Sequence, residues 1–108
     1  MKNRGLRLSR KRLNDLLQEA TVDCYNESEE LCGLYTMIQD ALEVPFEAEI
    51  LGVTVTVERV DLAHNGILAV CRRGRTRQRV PLLELALPSP PPRGIERVEV
   101  YRYWQRRL

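Results

Sequence analysis

Hydrophobic positions recur with a helical period in the first part of the chain and with a strand period in the second. Leu13, Leu16, Leu17 and Ala20 share one helical face, with Ser9 or Asn14 as candidate starts and Thr21-Val22 loosening the end. A second stripe is clearer: Leu31, Leu34, Tyr35, Ile38 and Leu42 stand at i, i+3, i+4, i+7 and i+11. Asn26 suits the N-cap of that helix, and Glu29 can reach back to complete a capping-box-like start. Pro45 disfavours helical geometry at Val44, so the helix is expected to end around Glu43.

The period then changes to two. Phe46, Ala48 and Ile50 alternate with Glu47 and Glu49, Gly52 allows a bend or bulge, and Val53, Val55 and Val57 alternate with Thr54, Thr56 and Glu58. Asn65-Gly66 is a hairpin signal leading into Ile67–Cys71, a strand apolar enough to be central. A turn around Gly74, a strand from Gln78 to Leu83 and a proline-rich connector, Pro88-Ser89-Pro90-Pro91-Pro92, follow. In Ile95 to Leu108, Val98, Tyr101 and Trp104 suit a short docking helix, while Val100 and Tyr103 leave a strand open. The expected architecture is α+β: N-terminal helices, then a small antiparallel SH3-like barrel or curled sheet, then a short C-terminal helix. Residues 1–12 read as a flexible basic arm and residues 13–108 as a single domain.

Composition narrows the function classes. No apolar run approaches the roughly 20 residues of a membrane-spanning helix, and no signal-like segment follows the basic N-terminus, so a cytoplasmic protein without membrane attachment is expected. The three cysteines, Cys24, Cys32 and Cys71, form no Cys-x-x-Cys pair and read as free, buried thiols. With one histidine, His64, there is no recognisable zinc spacing. Glycine-rich phosphate loops, a nucleophile elbow and a histidine-centred triad are also missing, so the expectation is a non-enzyme.

Charge changes the picture more. The net charge of +2 conceals three blocks. Residues 1–12 carry six basic side chains and no acidic one, and residues 13–57 carry ten carboxylates and no Lys, Arg or His. Residues 58–108 carry eleven arginines against five carboxylates. Within the acidic block, Asp23, Asn26, Glu27, Glu29 and Glu30 crowd a helix entry, which suits a hard cation seeking oxygen ligands. Acidic residues in a first helical turn also satisfy the helix dipole without any metal. Asp40 and Glu43 near the C-terminus of the same helix oppose that dipole, and Glu47 and Glu49 follow on one strand face. They form a second candidate cation site, or else an edge neutralised by arginines of residues 72–79. Arg75, Arg77 and Arg79 alternate along one strand face beside Arg72 and Arg73, and SH3-like barrels do bind nucleic acid. Few aromatics accompany them as stacking platforms, only Tyr101, Tyr103 and Trp104, so internal pairing with carboxylates is the favoured reading.

The segment Asp23-Cys24-Tyr25-Asn26-Glu27-Ser28-Glu29-Glu30, then Gly33, then Leu42-Glu43-Val44-Pro45-Phe46, resembles a bacterial family, the small calcium-binding proteins of the cyanobacterial CcbP type. The stretch from Leu51-Gly52-Val53 through Arg79-Val80-Pro81 and the ending Pro90-Pro91-Pro92 to Trp104 are similar to it as well, so the resemblance spans roughly residues 19–107. It implies calcium as the bound ion and an acidic surface that buffers or senses it, without catalysis. Asp23, Glu27, Glu29 and Glu30 fall in the matching acidic segment. Asn26 stands where a carboxylate would strengthen the site and Ser28 interrupts the run, and fewer charges lower calcium affinity. The implied partner is the calcium ion, with an unidentified protein partner left open. The alternative is an SH3-like module that binds protein or nucleic acid through its arginine-rich strand.

Overall fold

The computed structural model describes residues 8–108, and within it the chain forms two compact units. The first, helical unit takes the chain up to Leu42 together with Gly94–Leu108. Helix α1 spans Arg10–Ala20 and α2 spans Glu27–Ala41. Of the two starts open for α1, Ser9 is the one used: its Oγ accepts the backbone N–H of Arg12 at 3.1 Å, satisfying an amide that the helix itself leaves without a partner. Arg10, Lys11 and Arg12 thereby belong to the first turn of α1, whereas residues 1–7 of the expected basic arm lie outside the described residues. Asn26 caps α2 as expected, Oδ1 accepting from the N–H of Glu29 at 2.9 Å. Glu29 reaches back one residue further than a standard capping box, its Oε1 accepting from the N–H of Tyr25 at 2.7 Å.

The last segment is helix α3, Ile95–Arg106, so the helical reading prevails over the strand. Ile95, Val98, Tyr101 and Trp104 bury one face of it, and Leu16, Leu17, Leu31, Leu34 and Ile38 complete the core of this unit. Each of the three helices contacts the other two. Two glycines permit the close approaches. At Gly33 a Cβ would fall on the carbonyl oxygen of Ala20, the last residue of α1. At Gly94, which holds φ +84, a Cβ would fall on the carbonyl oxygen of Ala41.

The second unit, Glu43–Arg93, is a four-stranded antiparallel sheet in the order β1-β2-β3-β4. Its strands are β1 Phe46–Ile50, β2 Val53–Ala63, β3 Gly66–Arg73 and β4 Thr76–Pro81. Helix α2 stops two residues short of the expected Glu43, because the Glu43 N–H turns away to the carbonyl of Arg93 at 2.8 Å within this unit. The register leaves two residues at each hairpin: Leu51-Gly52, His64-Asn65 and Gly74-Arg75. Gly66, expected in the second turn, is instead the first residue of β3. The β2–β3 register shifts between Val57 and Arg59. Val57 and Val60, three apart, are both buried, and only an extra residue in the strand returns both to one face.

The sheet is open, so the curled-sheet half of the expectation stands and the barrel does not. Closure requires the first and last strands to pair. Here the outer edge of β1 is met instead by the segment after β4: Glu49 and Ala86 exchange both backbone hydrogen bonds, at 2.9 and 2.8 Å. Strand β4 is left as an edge, and its Arg77 and Arg79 side chains are the kind of charge that blunts one. It ends at Pro81 and not at Leu83, since proline has no N–H for the ladder, and Leu82–Glu84 form a 3-10 turn.

Candidate functional site

The acidic helix entry is built by the short loop between α1 and α2. Asp23 sits there at φ 63, a left-handed conformation that aspartate tolerates better than most residues, and its side chain is exposed. Glu27, in the first turn of α2, is exposed too. The other three candidates at this entry already have structural partners. Asn26 and Glu29 cap the helix, and Glu30 accepts the indole N–H of Trp104 on Oε1 at 2.8 Å. Cys24, half-buried in the same loop, donates weakly to the carbonyl of Glu29 at 3.4 Å. Burial first, then the negative charges of Glu29, Glu30 and Asp23, push its thiol above the ordinary value. The carboxylates thus impose a negative field on the loop.

The second candidate group is divided between the two units. Asp40 lies exposed in the last turn of α2, in the helical unit, whereas Glu43, Glu47 and Glu49 belong to the sheet unit. Glu43 accepts the backbone N–H of Arg93 on Oε1 at 3.3 Å. Glu47 and Glu49 project from the polar face of β1, beside Thr54, Ala86, Leu87 and Pro88, around a shallow cavity of about 250 Å³.

Among the described residues, no three His, Cys, Asp or Glu side chains come together in a group able to hold a metal ion. The donor chemistry at the α2 entry nevertheless suits calcium, because Asp23, Asn26, Glu27, Glu29 and Glu30 offer oxygen alone. These residues fit a hard cation by donor type while leaving it without a closed cage.

Four arginines of the sheet pair locally, whereas Arg73 and Arg75 stay exposed without an ion pair among the described residues. Arg72 and Arg77 both donate through Nε to Glu58 at 2.8 Å, and Arg79 and Arg59 donate through Nε to Asp61 at 3.0 and 3.2 Å. Cross-strand register sets these pairs, since Thr56 stands opposite Arg72, which stands opposite Arg77, on one face. The hydrogen bonds from Arg77 and Arg72 hold the Glu58 carboxyl below the ordinary range, and Glu58 in turn raises Arg77. Val70, on the same face, is buried between its register partners Arg59 and Arg79. The expected internal pairing is therefore present, but its carboxylates are Glu58 and Asp61 and not the block of residues 13–57. Among the described residues of the sheet unit, no ion pair reaches Glu47 or Glu49; among those of the helical unit, none reaches Asp23 or Glu27.

The aromatic platforms of the nucleic-acid alternative are occupied as well. Tyr101 and Trp104 are buried, and the Tyr103 hydroxyl donates to Asn14 Oδ1 at 2.7 Å while Arg107 covers its ring at 5.5 Å. All three cysteines are free, but only Cys71 is buried; Cys32 is exposed because it lies off the Leu31, Leu34 and Ile38 stripe. Two side-chain contacts at the helical unit, Trp104 with Glu30 and Tyr103 with Asn14, were not foreseen from the sequence. For Trp104 the sequence signal was a polar-tipped aromatic on the apolar face of a short helix, which needs a hydrogen-bond partner once buried; Tyr103, off that face, carried none.

A family model described as calcium binding, of the CcbP type, matches residues 14–105. The fold is similar to that of a solved structure, the crystal structure of Anabaena CcbP, with 18% sequence identity, a TM-score of 0.77 and coverage of 92% of each chain. No curated protein sequence matches the chain significantly.

Proposed function

The chain belongs to the CcbP family of calcium-binding proteins, and on that premise we propose that it holds calcium weakly and reversibly on its acidic surface, as a buffer or sensor of the ion and not as an enzyme. One observation carries this reading: Asp23 and Glu27 at the α2 entry have no ion-pair partner among the described residues, while Arg72, Arg77 and Arg79 of the sheet unit pair with Glu58 and Asp61. Unpaired carboxylates that crowd one loop repel each other, and a divalent cation relieves that repulsion. Asp23 and Glu27 are the principal ligands in this proposal. Asn26, Glu29 and Glu30 contribute what their structural bonds leave over, and Glu47 and Glu49 offer a weaker second locus. Calcium takes six to eight oxygens, and affinity follows ligand charge and rigidity; an open loop with water completing the shell belongs near Kd values of about 10⁻⁴–10⁻³ M. Free thiols fit a reducing compartment, and a cytoplasmic location is part of the proposal.

Isothermal titration of the metal-free protein with calcium, and separately with magnesium, tests it. Calcium should give a weak isotherm, and Asp23→Asn combined with Glu27→Gln should weaken it by about tenfold or more. Absence of heat at millimolar calcium refutes the function. Unchanged affinity in the double variant moves the ligands away from this loop.

A further inference from the structure

Strand β4 pairs with β3 on one side, and among the described residues of the sheet unit no strand pairs with its other edge. Thr76, Arg77, Gln78 and Arg79 are all exposed, so neither face of the strand is covered there. Pro81, its last residue, stands opposite Leu68, and a proline inside a ladder keeps its nitrogen on the outer side. Hydrogen-bonding groups along an antiparallel strand point inward and outward in alternation. Arg79 and Arg77 therefore also turn their backbone N–H and C=O away from β3. Among the described residues, no backbone hydrogen bond outside the ladder uses those groups.

The same two residues carry the charge. Residues 58–79 hold six arginines and two carboxylates, Glu58 and Asp61. Each carboxylate is shared by two guanidiniums, and Arg73 and Arg75 around the β3–β4 turn have no ion pair among the described residues. Arg77 and Arg79 each place Nε on a carboxylate, but a guanidinium has five N–H donors, and their side chains are 59% and 63% exposed. Such an edge selects its partner. A second copy of β4 would bring arginine to arginine, and like charges across a strand pair repel. The acidic strand β1 of a second copy has its outer edge met by Ala86 of its own chain. A nucleic acid offers no alternating N–H and C=O to match. Phe46, on β1, is the one aromatic of residues 43–93, so bases find no stacking platform beside these arginines. An extended peptide uses both features. It adds backbone hydrogen bonds, and its two-residue period of about 6.6–6.8 Å sets alternate side chains opposite Arg77 and Arg79.

We propose that the outer edge of β4 docks an extended acidic peptide segment of a partner protein, added as a fifth, antiparallel strand with Asp or Glu opposite Arg77 and Arg79. The site belongs to the sheet unit and does not rest on the calcium reading.

The test is fluorescence anisotropy of fluorescein-labelled peptides of about eight residues, titrated with the full chain. A peptide alternating glutamate and threonine should bind, and more weakly as salt rises. The same residues with the glutamates in one block, equal in charge, should bind about fivefold more weakly or worse. Methylating the glutamate nitrogens, which face β4 in this register, should weaken binding about tenfold, and methylating the threonine nitrogens, which face away, much less. Arg77→Gln combined with Arg79→Gln leaves Glu58 with Arg72 and Asp61 with Arg59, and should lower affinity about fivefold. Unchanged affinity in that variant, or absence of binding by the alternating peptide, overturns the proposal. Equal affinity for the blocked peptide, or for the peptide methylated on glutamate, reduces the edge to unpatterned charge and overturns strand addition. Those comparisons use the wild-type protein and decide the matter if the double variant fails to fold. A labelled oligothymidylate that binds more tightly than the alternating peptide assigns these arginines to nucleic acid and overturns the proposal too.

Discussion

Replacing Gly33 with alanine sets two effects of known sign against each other. In an isolated helix the change is favourable by up to about 1 kcal/mol, because alanine loses less backbone freedom on folding. In α2 the new Cβ would fall on the carbonyl oxygen of Ala20 and lie 3.2 Å from its carbonyl carbon, with Cys24 Sγ at 3.6 Å. The obstructing atoms are backbone at the end of α1, so no side-chain rotation relieves them. The two helices must separate where Leu16 and Leu17 share a buried core with Leu31 and Leu34. Overpacking of this kind costs about 1–3 kcal/mol, and here it comes with loosened packing along a whole helix pair. Against the propensity gain, the net expectation is a loss of about 1–2 kcal/mol. For a domain of this size that lowers Tm by about 5–15 °C. Thermal melts of wild type and Gly33→Ala, followed by far-ultraviolet circular dichroism, measure it. A variant that melts at or above the wild-type temperature refutes the close-approach argument and shows helix propensity to be the larger effect.

Glu58 and Leu51 supply further expectations. Because Arg77 and Arg72 hold the Glu58 carboxyl below its ordinary value of 4.5, its stabilising effect is fully present above that value and is lost as pH falls through the lower folded value. Wild type should therefore melt above Glu58→Gln at neutral pH, with the gap closing in acid; an equal gap at about pH 7 and about pH 3 refutes the linkage. Leu51 holds φ 52 at the β1–β2 turn and is 97% exposed, so it bears left-handed strain with little burial in return. Leu51→Asn matches the Asn-Gly preference of such turns and should raise stability by about 0.5–1 kcal/mol in urea titration, whereas a loss would show that Leu51 packs usefully.

The local elements were legible because their causes are local. Ser9 and Asn26 cap helices through their own side chains, and the Leu31, Leu34 and Ile38 stripe needs only the helical period to be seen. Alternation from Phe46 to Val57 likewise announces two strands, and Pro45 marks the change of period. Where a boundary depended on a distant partner, the expectation slipped. Helix α2 ends early because Glu43 pairs with Arg93, and the barrel stays open because Ala86, not β4, meets the edge of β1.

The candidate site divides in the same way. Sequence alone established the acidic helix entry, the oxygen-only donor set and the family resemblance, since each is a matter of residue type and spacing within a few turns of chain. Which of those carboxylates remain available was decided by contacts across long separations. Glu30 is held by Trp104, 74 residues away, and Arg77 and Arg79 are drawn to Glu58 and Asp61 across 19 and 18 residues. A hydrogen bond depends on where two atoms meet in space, and the residues between them in sequence carry no local trace of that meeting. The charge pattern could announce an acidic helix entry; only capping and helix packing decided that Asn26, Glu29 and Glu30 are engaged while Asp23 and Glu27 stay exposed.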